Sequence, residues 1–361
     1  MIIDELLLHC VTKGASDLHL SAGSSPTFRI KGALCPMNEH EALSQDDLLI
    51  MANTVMNEEQ KAVLAKQRSL DIGYSLASGE RYRINIYYER ATLAFAIRWL
   101  QNSFLSFDQL GLPPQLKELT RLHHGLVLVT GPTGSGKTTS LSTLLHQINL
   151  DRACHILTIE DPIEHMHENH TSMVHQRELH TDVPDFSSAV RAAMREDPDV
   201  ILVGEMRDLE TMRASLMAAE TGHLVFSTLH TGDAVGVLER IVGSFSGEEQ
   251  ESIKQQLSMV LRAVVAQHLL PAANGVGRVP VVEILIVTSA VSNLIRSGKS
   301  QQLVTAMESG RAQGMQTIDV ALADVVNKGL VRLEVAKTLC RDEKLFNELL
   351  TRHAKNKQYK D

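Results

Sequence analysis

The chain has 361 residues, of which 43% are hydrophobic and 22% charged, and its formal net charge at pH 7 is −8. This length and hydrophobic content suit two or three folded units with buried cores. The net negative charge excludes a generally basic surface, which binding to nucleic acid or anionic lipid would favour.

The N-terminal part of the chain has the pattern of a mixed α+β domain. Apolar residues at helical spacing predict a helix over 2–12, and a second helical pattern covers 44–66. Alternating segments predict strands at 16–21, 27–32, 81–89 and 92–100. We place this domain at 1–107 and interpret 108–124, which contains a glycine and two prolines, as a linker.

From residue 125 onward, apolar runs alternate with helical patterns, which indicates parallel strands covered by helices on both faces. The runs are 125–130, 155–160, 199–205, 223–230 and 278–288. We therefore expect an α/β core over 125–288, followed by a nearly all-helical region over 289–361 with a frayed polar end.

The cysteines and the N-terminus favour a reducing cytoplasm. Cys10, Cys35, Cys154 and Cys340 form no CxxC pair, so neither a disulfide framework nor a cysteine zinc site is indicated. The segment MIIDELLLHCVTKG is acidic where a signal peptide would be basic, and no stretch approaches the ~20 apolar residues of a membrane span.

A glycine-rich segment, GPTGSGKTT at 131–139, follows an apolar strand and opens a helix. It satisfies G-x-x-x-x-G-K-[ST], in which backbone N–H groups and a helix N-terminus bind phosphate. Lys137 can reach the β- and γ-phosphates, and the Thr138 hydroxyl can bind Mg²⁺. The alternative is a glycine- and serine-rich turn that only resembles this pattern. The strand before the segment and the helix after it favour the phosphate loop. The predicted ATP-binding residues are Gly131, Pro132, Thr133, Gly134, Ser135, Gly136, Lys137, Thr138 and Thr139.

Two carboxylates follow later predicted strands. Glu205 ends the apolar run DVILVGE, as a Walker B acid that holds Mg²⁺ directly or through water would. Glu164, in LTIEDPIEH, is the better candidate to orient or deprotonate the attacking water. Either acid alone could be a solvated loop residue, but both after a phosphate loop favour an ATPase.

Histidines form two further groups. His223 and His230 flank a predicted strand, where they could satisfy core hydrogen bonds or sense a γ-phosphate. The segment EHMHENH, with His165, His167 and His170, lacks a partner cluster, so we predict no zinc site.

Several strings, in this order and spacing, resemble the secretion-superfamily ATPases and most of all the PilT-like type IV pilus retraction ATPases. They are ASDLHLS, GPTGSGKTT, LTIEDPIE, REDPDVILVGEMRD and AAETGHLVFSTLHT. The resemblance implies a PAS-like N-terminal domain, a RecA-like P-loop core and C-terminal helices.

The resemblance also implies residue roles. Glu164 becomes the catalytic glutamate, Glu205 the Walker B acid, and His223 and His230 the His box, with His223 near nucleotide. Arg83 of RYRIN and Arg98 of FAIRW match the family's catalytic arginines. Without the resemblance, each arginine would be interpreted as an ordinary strand residue.

The resemblance further implies a homohexameric cytoplasmic motor at the inner membrane that uses ATP and Mg²⁺. Such motors act on a membrane platform protein, and their work shortens pili and drives twitching-type motility. Assembly ATPases have longer N-terminal regions and commonly a four-cysteine zinc element, so retraction is favoured here.

One motif departs from the family, because residues 290–297 read AVSNLIRS where AIRNLIRE is usual. Ser292 and Ser297 replace an arginine and a glutamate. The changed charges concern the strength of retraction or the choice of platform protein and leave the ATPase site untouched. A regulatory or accessory ring that works with a second pilus ATPase is a separate alternative. A nucleic-acid translocase would need a basic channel with aromatic stacking, which a net acidic chain with 4% aromatic residues does not favour.

Overall fold

The computed structural model describes residues 3–37, 39–100 and 104–358, which group into two compact units. The first unit comprises the described residues up to 100 together with 159–168 and 176–188. The second comprises 104–158, 169–175 and the described residues from 189 onward. The chain therefore returns to the first unit after leaving it. The sequence pattern, by contrast, predicts an N-terminal domain made of one continuous segment. The boundaries at 107, 124 and 288 stay predictions.

The first unit is built on a six-stranded antiparallel sheet with the order β3-β2-β1-β6-β5-β4. Its elements are α1 Ile3–Thr12, β1 Asp17–Ser21, β2 Thr27–Ile30, β3 Ala33–Pro36, α2 Gln45–Val55, α3 Glu58–Gln67, β4 Ser69–Ser75, β5 Arg81–Glu89 and β6 Thr92–Leu100. Because alternate residues of a strand face opposite sides, Leu18, Ile84 and Ile97 point into the apolar core. Their neighbours Arg83 and Arg98 belong to the opposite face, which is polar.

The helical pattern at 44–66 is two helices rather than one. Ser44 and Asn57 each begin a helix with a capping box, in which the cap side chain and the N3 side chain exchange hydrogen bonds with the backbone. Asn57 therefore separates α2 from α3. The short strands β3 and β4 had not been predicted.

The remaining elements surround a seven-stranded sheet with the order β13-β12-β7-β11-β10-β8-β9. Up to the last strand they are α4 Phe107–Leu110, β7 Gly125–Thr130, α5 Lys137–Asp151, β8 His155–Glu160, β9 Met173–Glu178, α6 Phe186–Ala193, β10 Val200–Val203, α7 Leu209–Glu220, β11 Leu224–Leu229, α8 Ala234–Gly243, α9 Gln250–Val260, β12 Leu261–Pro271 and β13 Arg278–Ile286. The pairs β10–β11, β11–β7 and β7–β12 are parallel, and β12–β13 is antiparallel. The α/β fold expected from the sequence is thus confirmed, with a mixed sheet.

Two strands of this sheet were missed in the sequence. β12 follows α9 without a glycine or proline between them, so no local signal marks the change from helix to strand. β9 lies in a polar stretch whose pattern predicts a loop. The segment 108–124, expected to be a linker, contains the end of α4 and a 3₁₀ helix over Pro114–Arg121, and Leu116 and Leu119 are buried in the second unit's core.

The C-terminal region is helical, as expected. Its helices are α10 Ser289–Arg296, α11 Leu303–Ser309, α12 Ile318–Asn327, α13 Leu333–Lys337 and α14 Glu343–Gln358. The end that was expected to fray continues α14 as far as Gln358, and residues 359–361 lie outside the described part. Within the described ranges, no helix is both long and apolar enough to cross a membrane. The cysteines Cys10, Cys35, Cys154 and Cys340 are all free.

A buried carboxylate ties this region to the sheet. The Glu283 side chain on β13 is 1% exposed, and it accepts hydrogen bonds from the Ala234 N–H (2.9 Å) and from Arg341 Nη1 (2.8 Å). Burial raises the pKa of Glu283, and the Arg341 guanidinium opposes that rise. The pair therefore stabilises the charged form of a carboxylate that lies in the interior.

We expect Arg341→Ala to lower the free energy of unfolding by about 2–3 kcal/mol at neutral pH, because it leaves a buried carboxylate without its cation. Removal of the cation raises the pKa of Glu283 further. A raised carboxyl pKa in the folded state makes stability fall as pH rises above its unfolded value of about 4.3. The deficit should therefore grow from pH 4 to pH 7 in urea unfolding. Arg332→Ala, in the same region, is the control, and equal midpoints for the two variants at pH 7 would contradict the expectation.

Candidate functional site

The phosphate loop is shaped by glycines and by one buried glutamine. Gly131 and Gly136 have φ of 143° and 84°, which favour glycine. A Cβ at Gly131 would overlap the Gln267 carbonyl oxygen, and a Cβ at Gly136 would lie 2.9 Å from Gln267 Nε2. Gln267 also donates to the Ser135 carbonyl (2.7 Å) and accepts from Ser140 Oγ (2.8 Å). Its place in the apolar run VVAQHLL was the signal that sequence reasoning missed.

Lys137, the first residue of α5, is a buried cation. Its side chain donates from Nζ to the carbonyl oxygens of Gly131 (2.8 Å) and Pro132 (3.1 Å). Burial lowers the pKa of Lys137, whereas the Glu205 carboxylate raises it. The cation also lies at a helix N-terminus, which carries a partial positive charge. The arrangement therefore favours an anion at this loop.

Glu205 and His230 reach the same edge of the sheet. They follow β10 and β11, which are parallel neighbours, and the register pairs Leu229 with Thr130 just before the phosphate loop. Glu205 Oε2 lies 3.4 Å from His230 Nε2, and Glu205 Oε1 lies 2.6 Å from Arg207 Nε. The carboxyl ends of these strands thus bring the loop, Glu205 and His230 together, as ligand sites in α/β sheets require. Arg207, two residues after Glu205, was not among the predicted site residues.

His223 lies at the opposite end of β11. Its carbonyl accepts from the N–H of Gly125, the first residue of β7, and its ring Nδ1 lies 3.0 Å from the Ala218 carbonyl. A strand of this length spans about 20 Å, so the ring is far from the loop at 131–139 of the same chain. The placement of His223 near nucleotide follows from the resemblance and stays a prediction.

The donors near the loop suit Mg²⁺. The Thr138 side chain is exposed in the first turn of α5, and Glu205 supplies a carboxylate. Oxygen donors of this kind fit Mg²⁺, which usually keeps few protein ligands beside phosphate and water. Within the described ranges, no group of three or more His, Cys, Asp or Glu side chains could hold a metal by itself.

The polar face of the first unit's sheet carries both expected catalytic arginines. Arg83 on β5 and Arg98 on β6 are register partners. Arg83 donates to Asp71 Oδ2 from Nη2 (2.6 Å) and Nε (2.8 Å), and to Glu164 Oε1 from Nη1 (3.0 Å). The hydrogen bond to Asp71 raises the pKa of Arg83. Arg98 is 66% exposed and donates to Asp17 Oδ1 (2.9 Å).

Each unit therefore gathers part of the predicted site. The second unit assembles the loop with Lys137, Glu205 and His230. The first unit pairs Arg83 with Glu164 and presents Arg98 beside them on the sheet.

Comparison with known proteins identifies the family. The sequence profile of the family described as "Type II/IV secretion system protein" matches residues 1–338. The "Type IV pilus retractation ATPase PilT" of Pseudomonas aeruginosa is 43% identical over 337 residues, 93% of this chain and 97% of that protein. The "Type IV pilus ATPase PilU" of the same organism is 36% identical over 336 residues, 93% and 88% of the two chains.

A solved structure agrees with these sequence relatives. The protein described as "Crystal Structure of the Pilus Retraction Motor PilT and Bound ADP" superposes with a TM-score of 0.86 at 42% identity, over 95% of this chain and 98% of that chain. The predicted resemblance to PilT-like ATPases is thereby confirmed, and the chain belongs to the family of type II/IV secretion system proteins.

Proposed function

We propose that this chain hydrolyses ATP to power the retraction of type IV pili. The ATPase class predicted from the motifs is confirmed by the family and by the relatives. The observation that carries the proposal is the buried Lys137 cation on a glycine loop, with Glu205 and His230 at the same edge of the sheet.

In this proposal the loop binds the nucleotide phosphates. Backbone N–H groups over 131–136 and the Lys137 ammonium bind oxygens, and phosphate replaces carbonyl oxygens as the partner of Nζ. Thr138 and Glu205 would hold Mg²⁺, which would neutralise negative charge on the β- and γ-phosphates. His230, beside Glu205, polarises or senses the γ-phosphate.

In this proposal the first unit supplies the side chains that act on the attacking water and on the transferring phosphoryl group. Glu164 orients or deprotonates the attacking water, a role that needs a positioned carboxylate. Arg83 and Arg98 stabilise negative charge on the transferring phosphoryl group. Because Arg83 contacts Glu164 and Asp71, both partners compete with phosphate for its guanidinium. Release of Arg83 would therefore accompany catalysis.

The finer assignments follow from the resemblance. They are a PAS-like first domain, a RecA-like core, a homohexameric ring and a cytoplasmic position at the inner membrane beside a platform protein. A ring allows one nucleotide state to shift the conformations of neighbouring subunits by differential contacts. Nucleic acid is not expected as a partner.

A second candidate function is an accessory ring that works with another pilus ATPase. It is favoured by two serines in α10, where the usual motif has charged residues. Ser292 Oγ donates to the Ser258 carbonyl (2.5 Å) at the end of α9, and Ser297 Oγ donates to the Asn293 carbonyl (2.7 Å). Both hydroxyls donate to backbone carbonyls of this chain. They do not replace the two charges of the usual motif, which a partner could recognise.

Two substitutions separate nucleotide binding from turnover. Lys137→Ala removes a phosphate contact and should weaken ATP binding as well as hydrolysis. Glu164→Gln should lower kcat by about 10²- to 10⁴-fold, the usual range for a general base, while binding persists. Phosphate release and fluorescent-nucleotide binding measure the two effects, and EDTA should abolish turnover of the unsubstituted chain.

Glu118→Gln, at an exposed position of the 3₁₀ helix, is the matched carboxyl control and should retain full turnover. Tight nucleotide binding by an unsubstituted ring without phosphate release would reject the motor and favour the accessory ring.

The arginines have a separate prediction. Arg83→Lys should lower kcat by roughly 10²-fold or more, because lysine keeps one charge but loses the planar fork, and arginines in this role contribute about 10³–10⁵. Arg98→Lys should act in the same direction, while Arg29→Lys on β2 should not. Stopped-flow phosphate release measures all three, and equal rates for Arg83→Lys and Arg29→Lys would remove Arg83 from the mechanism.

A further inference from the structure

We propose that the buried ion pair between Arg81 and Glu178 is a positioning clamp for Glu164. This inference rests on the proposed function, in which Glu164 acts on the attacking water. No motif of the sequence marks Arg81 or Glu178 as functional. Arg81 lies two residues before the expected catalytic Arg83, and Glu178 ends a polar segment.

The pair binds both backbone polar groups of the residue before Glu164. Arg81 Nε donates to the Ile163 carbonyl (2.8 Å), and the Ile163 N–H donates to Glu178 Oε2 (3.1 Å). Arg81 Nη2 donates to the same Glu178 oxygen. The Ile163 side chain is itself buried. The main chain entering Glu164 is therefore held by charged groups on two sides.

The same pair is anchored to the sheet that carries Arg83. Glu178 Oε1 accepts from the Gly73 N–H (3.0 Å) on β4, and Arg81 Nη1 donates to Ser75 Oγ (3.0 Å) two residues later. Gly73 is the register partner of Arg83. The clamp thus links the backbone of Ile163, the residue before Glu164, to the strands that set the position of the Arg83 guanidinium.

Gly73 is an independent sign that the strand makes room for the pair. A glycine inside a strand is unfavourable, yet a Cβ here would overlap Arg81 Nη2 and lie 2.5 Å from Glu178 Oε2. Because Gly73 has no side chain, the two charged groups can lie directly against the backbone of β4.

Stability alone is a weak reason for such a pair. The two side chains are 10% and 6% exposed, and apolar residues of similar volume often stabilise a protein as well as a buried ion pair does. What apolar residues cannot supply is a donor for the Ile163 carbonyl and an acceptor for its N–H. Displacement of a catalytic group by 1 Å can lower a rate about 10²-fold, so this hold has a catalytic consequence.

The test uses three variants of the full chain: Gly73→Ala, which displaces the pair without changing charge, Arg81→Lys, which keeps the charge but loses the fork, and Glu178→Gln. We expect each to lower kcat for MgATP at least 10-fold, while KM and ADP affinity change less than 2-fold. Tyr82→Phe is the control for a general loss of stability. Tyr82 is next to Arg81 on β5, and its Oη donates a buried hydrogen bond to the Leu7 carbonyl (2.8 Å) that the substitution removes. The substitution should lower the unfolding temperature and leave kcat unchanged.

Combination with Glu164→Gln distinguishes the clamp from the proposed function. If the clamp acts through Glu164, Gly73→Ala should have less than a 2-fold effect on the residual single-turnover rate of Glu164→Gln. A normal kcat for Gly73→Ala, or its full effect in the Glu164→Gln background, would overturn the clamp alone. A normal kcat for Glu164→Gln itself would overturn both the clamp and the role of Glu164.

Discussion

A buried ammonium group at the positive end of a helix is the constraint around which the second unit is arranged. Lys137 is 8% exposed, and its cation is balanced by two loop carbonyls and by the nearby Glu205 carboxylate. Desolvation and the helix dipole both disfavour a cation there, so a bound phosphate relieves an unfavourable arrangement. The glycines and Gln267 hold the loop that makes this arrangement possible.

In the first unit, by contrast, the cations of the proposed site already have carboxylate partners. Arg83 and Arg98 are each bound to a carboxylate on a neighbouring strand, and Arg83 also contacts Glu164. In the proposed mechanism, Arg83 and Arg98 have to exchange these carboxylates for the oxygens of a phosphoryl group. The strength of the ion pairs would then set how readily hydrolysis starts.

The sequence predicted those parts of the fold whose signal is local. The run GLVLVT, the loop at 131–139 and the helix after it are contiguous, and so are the alternating strands β5 and β6. β12 and β9 were missed because one lacks a boundary residue and the other is polar. The interior position of Gln267 depends on the pairing of β12 with β7, a contact between distant parts of the chain. The positions of His223 and His230 at the two ends of β11 follow from the local pattern, whereas the role of His223 near nucleotide rests on the resemblance and stays a prediction. The partners of Arg81 and Glu178 are likewise set by tertiary structure.

The most direct test of the proposed function is Mg²⁺-dependent phosphate release by the purified chain, measured while its oligomeric state is followed in the same sample. We expect turnover by a hexamer that stops when Mg²⁺ is removed. A hexamer that binds MgATP tightly and releases no phosphate would contradict the proposed function.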